Sequence, residues 1–111
     1  MDEINLQTEL QDIVSADYEQ KVGTVGTAPV TIQRTDNKNC TSVHIHNPVL
    51  GTRGNGLSDV IYVTVDGQNP TNFGETLTVG QSIQFHGKIV DGNIKISSNN
   101  AGTNYEISLV G

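Results

Sequence analysis

Residues 41–48 read TSVHIHNP, and this stretch allows two interpretations of the whole chain. His44 and His46 flank Ile45, so in an extended strand both imidazoles would lie on one face, about 7 Å apart. That spacing suits a metal ion, because imidazole binds zinc, iron, nickel and copper. The same letters also describe an ordinary half-buried strand in which Val43 and Ile45 face a core. The pattern of the surrounding sequence favours the strand.

Apolar and polar residues alternate with a period of two in several short runs between residues 28 and 110. The apolar members are Ala28, Val30, Ile32, Val43, Ile45, Ile61, Val63, Val65, Leu77, Val79, Ile83, Phe85, Ile94, Ile96, Tyr105, Ile107 and Leu109. Such runs are typical of antiparallel strands with one face on a core. Asp91-Gly92 predicts a tight β-hairpin, and GTRGNG at 51–56 predicts a flexible loop. We therefore predict an all-β fold, an antiparallel jelly-roll-like β-sandwich of about seven or eight strands, over residues 21–111.

Residues 1–20 have a different pattern and predict an N-terminal arm or short helix. Leu6, Leu10, Ile13 and Val14 recur at the spacing of one helical face. Six of the twelve acidic residues precede the first basic residue, and from residue 20 onward six acids balance six bases, so the net charge of −6 belongs to the arm. The arm either covers one end of the sandwich or docks on another subunit. For docking, the partner-binding residues would be Ile4, Leu6, Leu10, Asp12, Ile13, Val14 and Asp17.

Composition argues against several classes of protein. No cluster of Lys or Arg is present, so we do not expect nucleic-acid binding. No apolar run approaches the roughly 20 residues of a membrane span, and the acidic N-terminus does not resemble a signal peptide. Cys40 is the single cysteine, so no internal disulfide can form. Strict alternation places Cys40 on the face of His44 but about 13 Å away, which leaves packing as its expected role.

A cupin-like metal-binding protein is the main alternative with a chemical site. The first cupin motif is similar to G-x₅-H-x-H-x₃₋₄-E-x₆-G, and His44 and His46 match its histidine pair. The sequence after the pair, residues 47–51, lacks the glutamate, and Lys38 stands where the motif has glycine. Alternation puts His86 on an outer face together with the pair, which does not suit a barrel interior. We therefore predict no metal, no cofactor and no enzymatic activity, with His44 and His46 as the ligands of the alternative.

A second alternative is a sugar- or receptor-binding module of a tail or fibre. Sugar recognition commonly uses exposed aromatic side chains, because their rings pack against the apolar face of a sugar. Phe85 and Tyr105 fall at predicted core positions. Tyr62 and Phe73 are then left as the candidate platforms.

Four motifs in residues 41–110 together resemble a known class of virion proteins. They are TSVHIHNP, DVIYVTVDG at 59–67, ETLTVGQSIQF at 75–85 and GTNYEISLV at 102–110. Within the third, Leu77, Gly80, Ser82 and Ile83 match a Leu-x-x-Gly-x-Ser-Ile step. The set resembles small β-sandwich structural proteins of tailed double-stranded DNA phages, including capsid decoration (cement or staple) proteins such as those of short-tailed Salmonella phages.

This resemblance implies a non-enzymatic protein on the outer surface of a phage capsid, made in the bacterial cytoplasm. Its expected partner is the major capsid protein, whose neighbouring subunits it would bridge. A homodimer at two-fold positions is expected, since a symmetric pair places two shell-binding surfaces back to back. Neither nucleic acid nor membrane is an expected partner.

Overall fold

A computed structural model describes residues 18–49, 55–70 and 74–111, which form two antiparallel four-stranded sheets packed face to face. The strands are β1 (Tyr18–Val25), β2 (Val30–Ile32), β3 (Cys40–His46), β4 (Ile61–Thr64), β5 (Glu75–Leu77), β6 (Ser82–Ile89), β7 (Ile94–Ser98) and β8 (Thr103–Val110). The predicted all-β sandwich is confirmed. Of the arm or helix predicted for residues 1–20, residues 1–17 lie outside the described residues.

Successive strands alternate between the two sheets. Sheet A has the order β1-β8-β3-β6 and sheet B the order β2-β7-β4-β5, so only the β4–β5 connection stays within one sheet. All the paired strands are antiparallel. The β-sandwich is thereby established, and a jelly-roll path remains our interpretation of this strand order.

The core lies between the sheets and consists mainly of the apolar positions that alternation predicts. Val25, Cys40 and Ile89 belong to it in addition, and Ala28 is exposed. The members that are at most 2% exposed are Val43, Ile45, Ile61, Val63, Ile94, Ile96, Ile107 and Leu109. Ile83, Phe85 and Tyr105 are only partly buried against this cluster. Val30 pairs with Ile96 but remains 39% exposed, because β2 is a short strand at the edge of sheet B.

The segment Asp91-Gly92 forms a turn but not the predicted hairpin. Asn93 N–H donates to the Val90 carbonyl at 3.0 Å, and Gly92 has φ of 87°. Among the described non-glycine residues only Asn37 has positive φ, so Asp91 does not adopt the conformation of a type I′ turn. The turn instead leads from β6 in sheet A to β7 in sheet B, and it is a corner of the sandwich.

The first strand begins earlier than the sequence indicates. β1 starts at Tyr18, so residues 18–20, assigned above to the arm, belong to sheet A. Its inner face carries Glu19, Lys21 and Gly23, as their register with buried residues of β8 requires. Period-two alternation misses this strand because these inward positions are not apolar.

Cys40 lies in the core, which confirms its packing role, but it does not share a face with His44. The pairing of β3 with β6 shifts register between Cys40 and Ser42. This bulge turns the Cys40 side chain inward, where it is 3% exposed, and burial raises the pKa of its thiol.

Candidate functional site

Three rows of side chains cross the outer face of sheet A, in register through β1, β8, β3 and β6. We call these twelve residues the outer grid. The rows are Tyr18–Val110–Ser42–His86, Gln20–Ser108–His44–Gln84 and Val22–Glu106–His46–Ser82. All three histidines therefore lie on one outer face, as alternation predicts.

The outer grid carries very little charge. It contains no Lys or Arg, and Glu106 is its single carboxylate. The other members are hydroxyls, amides, imidazoles and the apolar or aromatic side chains of Tyr18, Val22 and Val110. A surface of this kind can donate hydrogen bonds to a ligand and accept them from it, but it has little electrostatic attraction for a strongly charged ligand.

The centre of the outer grid is a shallow groove of about 360 Å³. It is lined by Gln20, His44, His46, Ser82, Glu106 and Ser108. The imidazole of His46 lies between two partners: its Nδ1 is 2.7 Å from Ser82 Oγ, and its Nε2 is 3.9 Å from Glu106 Oε1. The first distance is a hydrogen bond and the second is too long for one, so the ring is positioned at one nitrogen only.

Two partly exposed side chains of β1 flank the groove. Tyr18 is 40% exposed, and its hydroxyl lies 3.2 Å from Ser108 Oγ, which holds the ring beside the groove. Val22 is 49% exposed on the same face. On the opposite side, Gln84 Nε2 donates to Ser42 Oγ at 3.0 Å. The groove thus has an apolar border along β1 and a polar border along β6.

The predicted histidine pair is on one face, but the structure does not assemble a metal centre around it. His86 is opposite Ser42, while His44 is opposite Gln84. In residues 18–49, 55–70 and 74–111 no three His, Cys, Asp or Glu side chains come close enough to hold a metal ion. The carboxylate nearest the pair, Glu106, is a residue that sequence reasoning missed, because only the register of β3 with β8 brings it there.

The outer face of sheet B is less open than that of sheet A. Tyr62, one of the two predicted sugar platforms, pairs with Ser97 on this face and is half-buried. Ser97 is itself 1% exposed and donates its hydroxyl hydrogen to the Pro70 carbonyl, so the chain around Pro70 covers this part of the sheet. Phe73, the second platform, lies outside the described residues.

Two buried asparagines fix the chain at the end of the groove. Asn47 directly follows His46, is 0% exposed, and donates from Nδ2 to the carbonyls of Asp59 (3.0 Å) and Leu77 (2.9 Å). Asn55 Nδ2 donates to Asn47 Oδ1 at 2.6 Å, and Asn55 is 2% exposed. Sequence reasoning assigned Asn55 to a flexible loop. At this residue the prediction is wrong, because its side chain is held in the interior.

The predicted partner-binding residues of the arm, namely Ile4, Leu6, Leu10, Asp12, Ile13, Val14 and Asp17, lie outside the described residues. Within the described part of the chain no helix is long and apolar enough to cross a membrane. Comparison with protein-family models, with curated proteins and with solved structures found no match to this chain.

Proposed function

We propose that this chain is a non-enzymatic capsid decoration protein of a tailed double-stranded DNA phage. It binds the outside of the shell and ties neighbouring major capsid subunits together. The observation that carries the proposal is the junction at Tyr18, where an acidic segment whose apolar residues recur at helical spacing in the sequence joins an edge strand of the sandwich.

The charge of residues 1–17 supports a docking role for the arm. This segment carries five carboxylates and no Lys or Arg. β1, which follows it, has β8 as its one neighbour in the described part of the chain, so the segment is joined to an edge strand of sheet A. An acidic arm joined there can reach a basic patch on an adjacent shell subunit, where complementary charge sets orientation and the apolar stripe adds affinity.

One of the four motifs that carry the resemblance, the Leu-x-x-Gly-x-Ser-Ile step, forms a crossing between the sheets. Leu77 ends β5 in sheet B, and Ser82 begins β6 in sheet A. Between them, Gly80 has φ of 86° and donates its N–H to the Asn47 carbonyl at 2.7 Å. The positive φ explains why this step needs glycine. The matched step thus has a role in the architecture of this sandwich, and the resemblance supports the proposal at that level.

The shape of the edge strands supports a two-fold dimer through β1. β1 pairs with β8 over eight consecutive residues without a bulge. The other long edge strand, β6, is interrupted by the register shift opposite Cys40 and by Gly87, with φ of 117°. The edge strands of sheet B, β2 and β5, have only three residues each. Long, straight edges are the ones that pair with a second copy.

A reconstitution experiment tests the shell-binding role. The full-length chain is added to heads of the parent phage that lack it, and the heads are then sedimented. We expect the chain to co-sediment and to raise the temperature at which the heads release DNA. A variant without residues 1–14 should keep its unfolding temperature but no longer sediment with the heads. Asp12→Asn with Asp17→Asn should weaken binding, whereas Glu75→Gln, at an exposed position of β5, should not. A full-length chain that stays in the supernatant would contradict the proposal.

Disulfide trapping tests the dimer. Single cysteines replace Gln20, Val22 or Thr24 in a Cys40→Ala background. In a two-fold antiparallel pair whose axis passes one of these residues, that residue faces its own copy at about 4.5–5.5 Å, which suits a disulfide. When the axis passes Lys21 or Gly23, the two flanking residues face each other instead, so mixtures of two β1 variants are tested as well. We expect rapid cross-linking at one position or in one mixture, and none with Thr31→Cys on β2 as the control. Equal, slow cross-linking in all single variants and all mixtures would exclude the β1 dimer.

A further inference from the structure

We propose that the groove of the outer grid binds a neutral saccharide. This activity is separate from shell binding and does not depend on it. The site differs from the Tyr62 platform on sheet B, because it uses the open outer face of sheet A.

The charges around the groove select the class of ligand. An anionic ligand would require Lys or Arg, and the outer grid has neither. A metal ion would require three close ligands, and the described residues provide no such cluster. An apolar ligand would leave the polar groups of the groove unpaired, which costs free energy. An uncharged molecule rich in hydrogen-bonding groups is the class that remains.

The polar groups of the groove match vicinal hydroxyls, each of which both donates and accepts. Glu106 accepts only, the Gln20 amide donates and accepts, and the hydroxyl of Ser108 does both. His46 Nε2 and Glu106 Oε1 are 3.9 Å apart and do not hydrogen-bond each other. Both atoms therefore have capacity for a ligand hydroxyl, while Nδ1 of the same ring is held by Ser82.

The border along β1 suits the apolar face of a sugar ring. Tyr18 and Val22 are 40% and 49% exposed on either side of Gln20. The contact of the Tyr18 hydroxyl with Ser108 Oγ, at 3.2 Å, limits the rotation of the phenol ring beside the groove. A pyranose has C–H groups on one face and hydroxyls at its edge, so it can pack on Tyr18 while its hydroxyls reach Ser108 and Glu106.

The size and openness of the groove set the expected affinity. A volume of about 360 Å³ is near the lower limit of ligand pockets, so it holds one or two sugar units. Because the groove is shallow, much of the ligand stays in water, and we expect a Kd of the order of 1 mM, as for weak small-ligand binding.

Titration followed by ¹⁵N–¹H correlation spectra tests the proposal on the full chain. The probes are the methyl glycosides of glucose, galactose, mannose, rhamnose and N-acetylglucosamine, with maltose and lactose, each to about 50 mM so that a Kd of order 1 mM is saturated. At least one probe should shift the backbone amides of Gln20, His44, His46, Glu106 and Ser108 with a common binding curve.

Matched variants assign the binding to the groove. Glu106→Gln, Ser108→Ala and Tyr18→Ala should each weaken the Kd at least about tenfold, which corresponds to about 1.4 kcal/mol. Tyr18→Phe keeps the ring and should lose less, and Glu75→Gln on sheet B should bind normally. Spectra without sugar verify that each variant is folded. The proposal is overturned if no probe shifts these amides, if the shifts cluster around Tyr62, or if the three groove variants bind as tightly as the unchanged chain.

Discussion

Asn55 Nδ2 donates a hydrogen bond of 2.6 Å to Asn47 Oδ1, and both side chains are almost completely buried. The Oδ1 of Asn55 in turn accepts from the backbone N–H of Asn104 at 2.7 Å. The pair thereby connects the end of β3, the following loop and β8. Since each buried polar group has a partner, the network stabilises one specific path of the chain.

Replacing either asparagine should destabilise the sandwich strongly. Asn55→Ala leaves the side-chain Oδ1 of Asn47 and the backbone N–H of Asn104 without these partners in the interior, which costs about 2–3 kcal/mol. Asn47→Ala should cost as much, because the backbone carbonyls of Asp59 and Leu77 lose the hydrogen bonds that Asn47 Nδ2 donates to them. Urea unfolding measures both values. Exposed Asn69→Ala should stay within about 0.5 kcal/mol of the unchanged chain, and equal losses in all three variants would contradict the role of the pair.

The carboxylate of Glu19 should make stability depend on pH in the acidic range. The Thr35 hydroxyl and N–H donate to it at 2.5 and 2.8 Å, and Lys21 Nζ is 2.9 Å away. Hydrogen bonding from Thr35, followed by Lys21, lowers the pKa of Glu19 from 4.5 to about 2. The folded-state pKa is below the unfolded one, so the contribution is complete above about pH 5 and is lost as pH falls to about 2.

Glu19→Gln is the variant that measures this contribution. The side chain is partly exposed, so solvent screening reduces the effect, and we expect a loss of about 1 kcal/mol at neutral pH. The decline of unfolding free energy between about pH 5 and pH 2 should be shallower than in the unchanged chain. Glu75→Gln is the control, and it should leave the slope unchanged. A Glu19→Gln profile parallel to that of the unchanged chain would show that this carboxylate is not linked to folding.

The Cys40 thiol should react only when the sandwich opens. It is 3% exposed, and burial raises the pKa of the thiol, so little thiolate is present and reagents cannot reach it. The rate of modification by a disulfide reagent should therefore rise in proportion to the unfolded fraction as urea is added. Thr41→Cys in a Cys40→Ala background places a thiol on the exposed neighbour and should react at once. Rapid reaction of the native Cys40 in buffer would contradict its place in the core.

Gly74 and Gly102 form a matched pair that separates backbone strain from steric clash. Both have positive φ, 90° and 75°, so alanine at either costs about 1 kcal/mol for the left-handed conformation. A Cβ at Gly74 would also lie 2.5 Å from the Val63 carbonyl oxygen, whereas at Gly102 it meets nothing within 4 Å. Gly74→Ala should therefore lose at least about 1–2 kcal/mol more than Gly102→Ala in thermal unfolding. Similar losses of stability in the two variants would mean that the backbone near Gly74 can shift enough to relieve the clash with the Val63 carbonyl.

Much of the fold could be predicted from local alternation. Ile45 and Ile107 stand in runs whose polar and apolar faces are unambiguous, and both are buried as expected. The same alternation correctly placed the three histidines outside. It failed for β1, whose inner face has Glu19 and Lys21, and for Cys40, where a bulge reverses the side of the strand.

The site itself could not be predicted because its contacts depend on strand register. His46 meets Glu106 and Ser82 only because β3 pairs with β8 on one side and with β6 on the other. Nothing within a few residues of His46 encodes either pairing. The same holds for Asn55. Its neighbours in the sequence are those of a flexible loop, but its side-chain amide donates a hydrogen bond to the backbone carbonyl of Asn104. Turn chemistry at Asp91-Gly92 correctly gave a turn, yet it could not say which sheet the next strand joins.

The place of β8 in the centre of sheet A has a consequence for synthesis on the ribosome. β8 joins β1 to β3, so β1 has no partner in its sheet until residues 103–110 have left the exit tunnel. Neither sheet is built from neighbouring stretches of chain, apart from the short β4–β5 pair. Pairings of such long range are slow to form and leave strand edges unprotected meanwhile. Sheet A therefore stays incomplete until β8 can pair, and chaperones have their greatest opportunity to bind the unpaired strands during that interval.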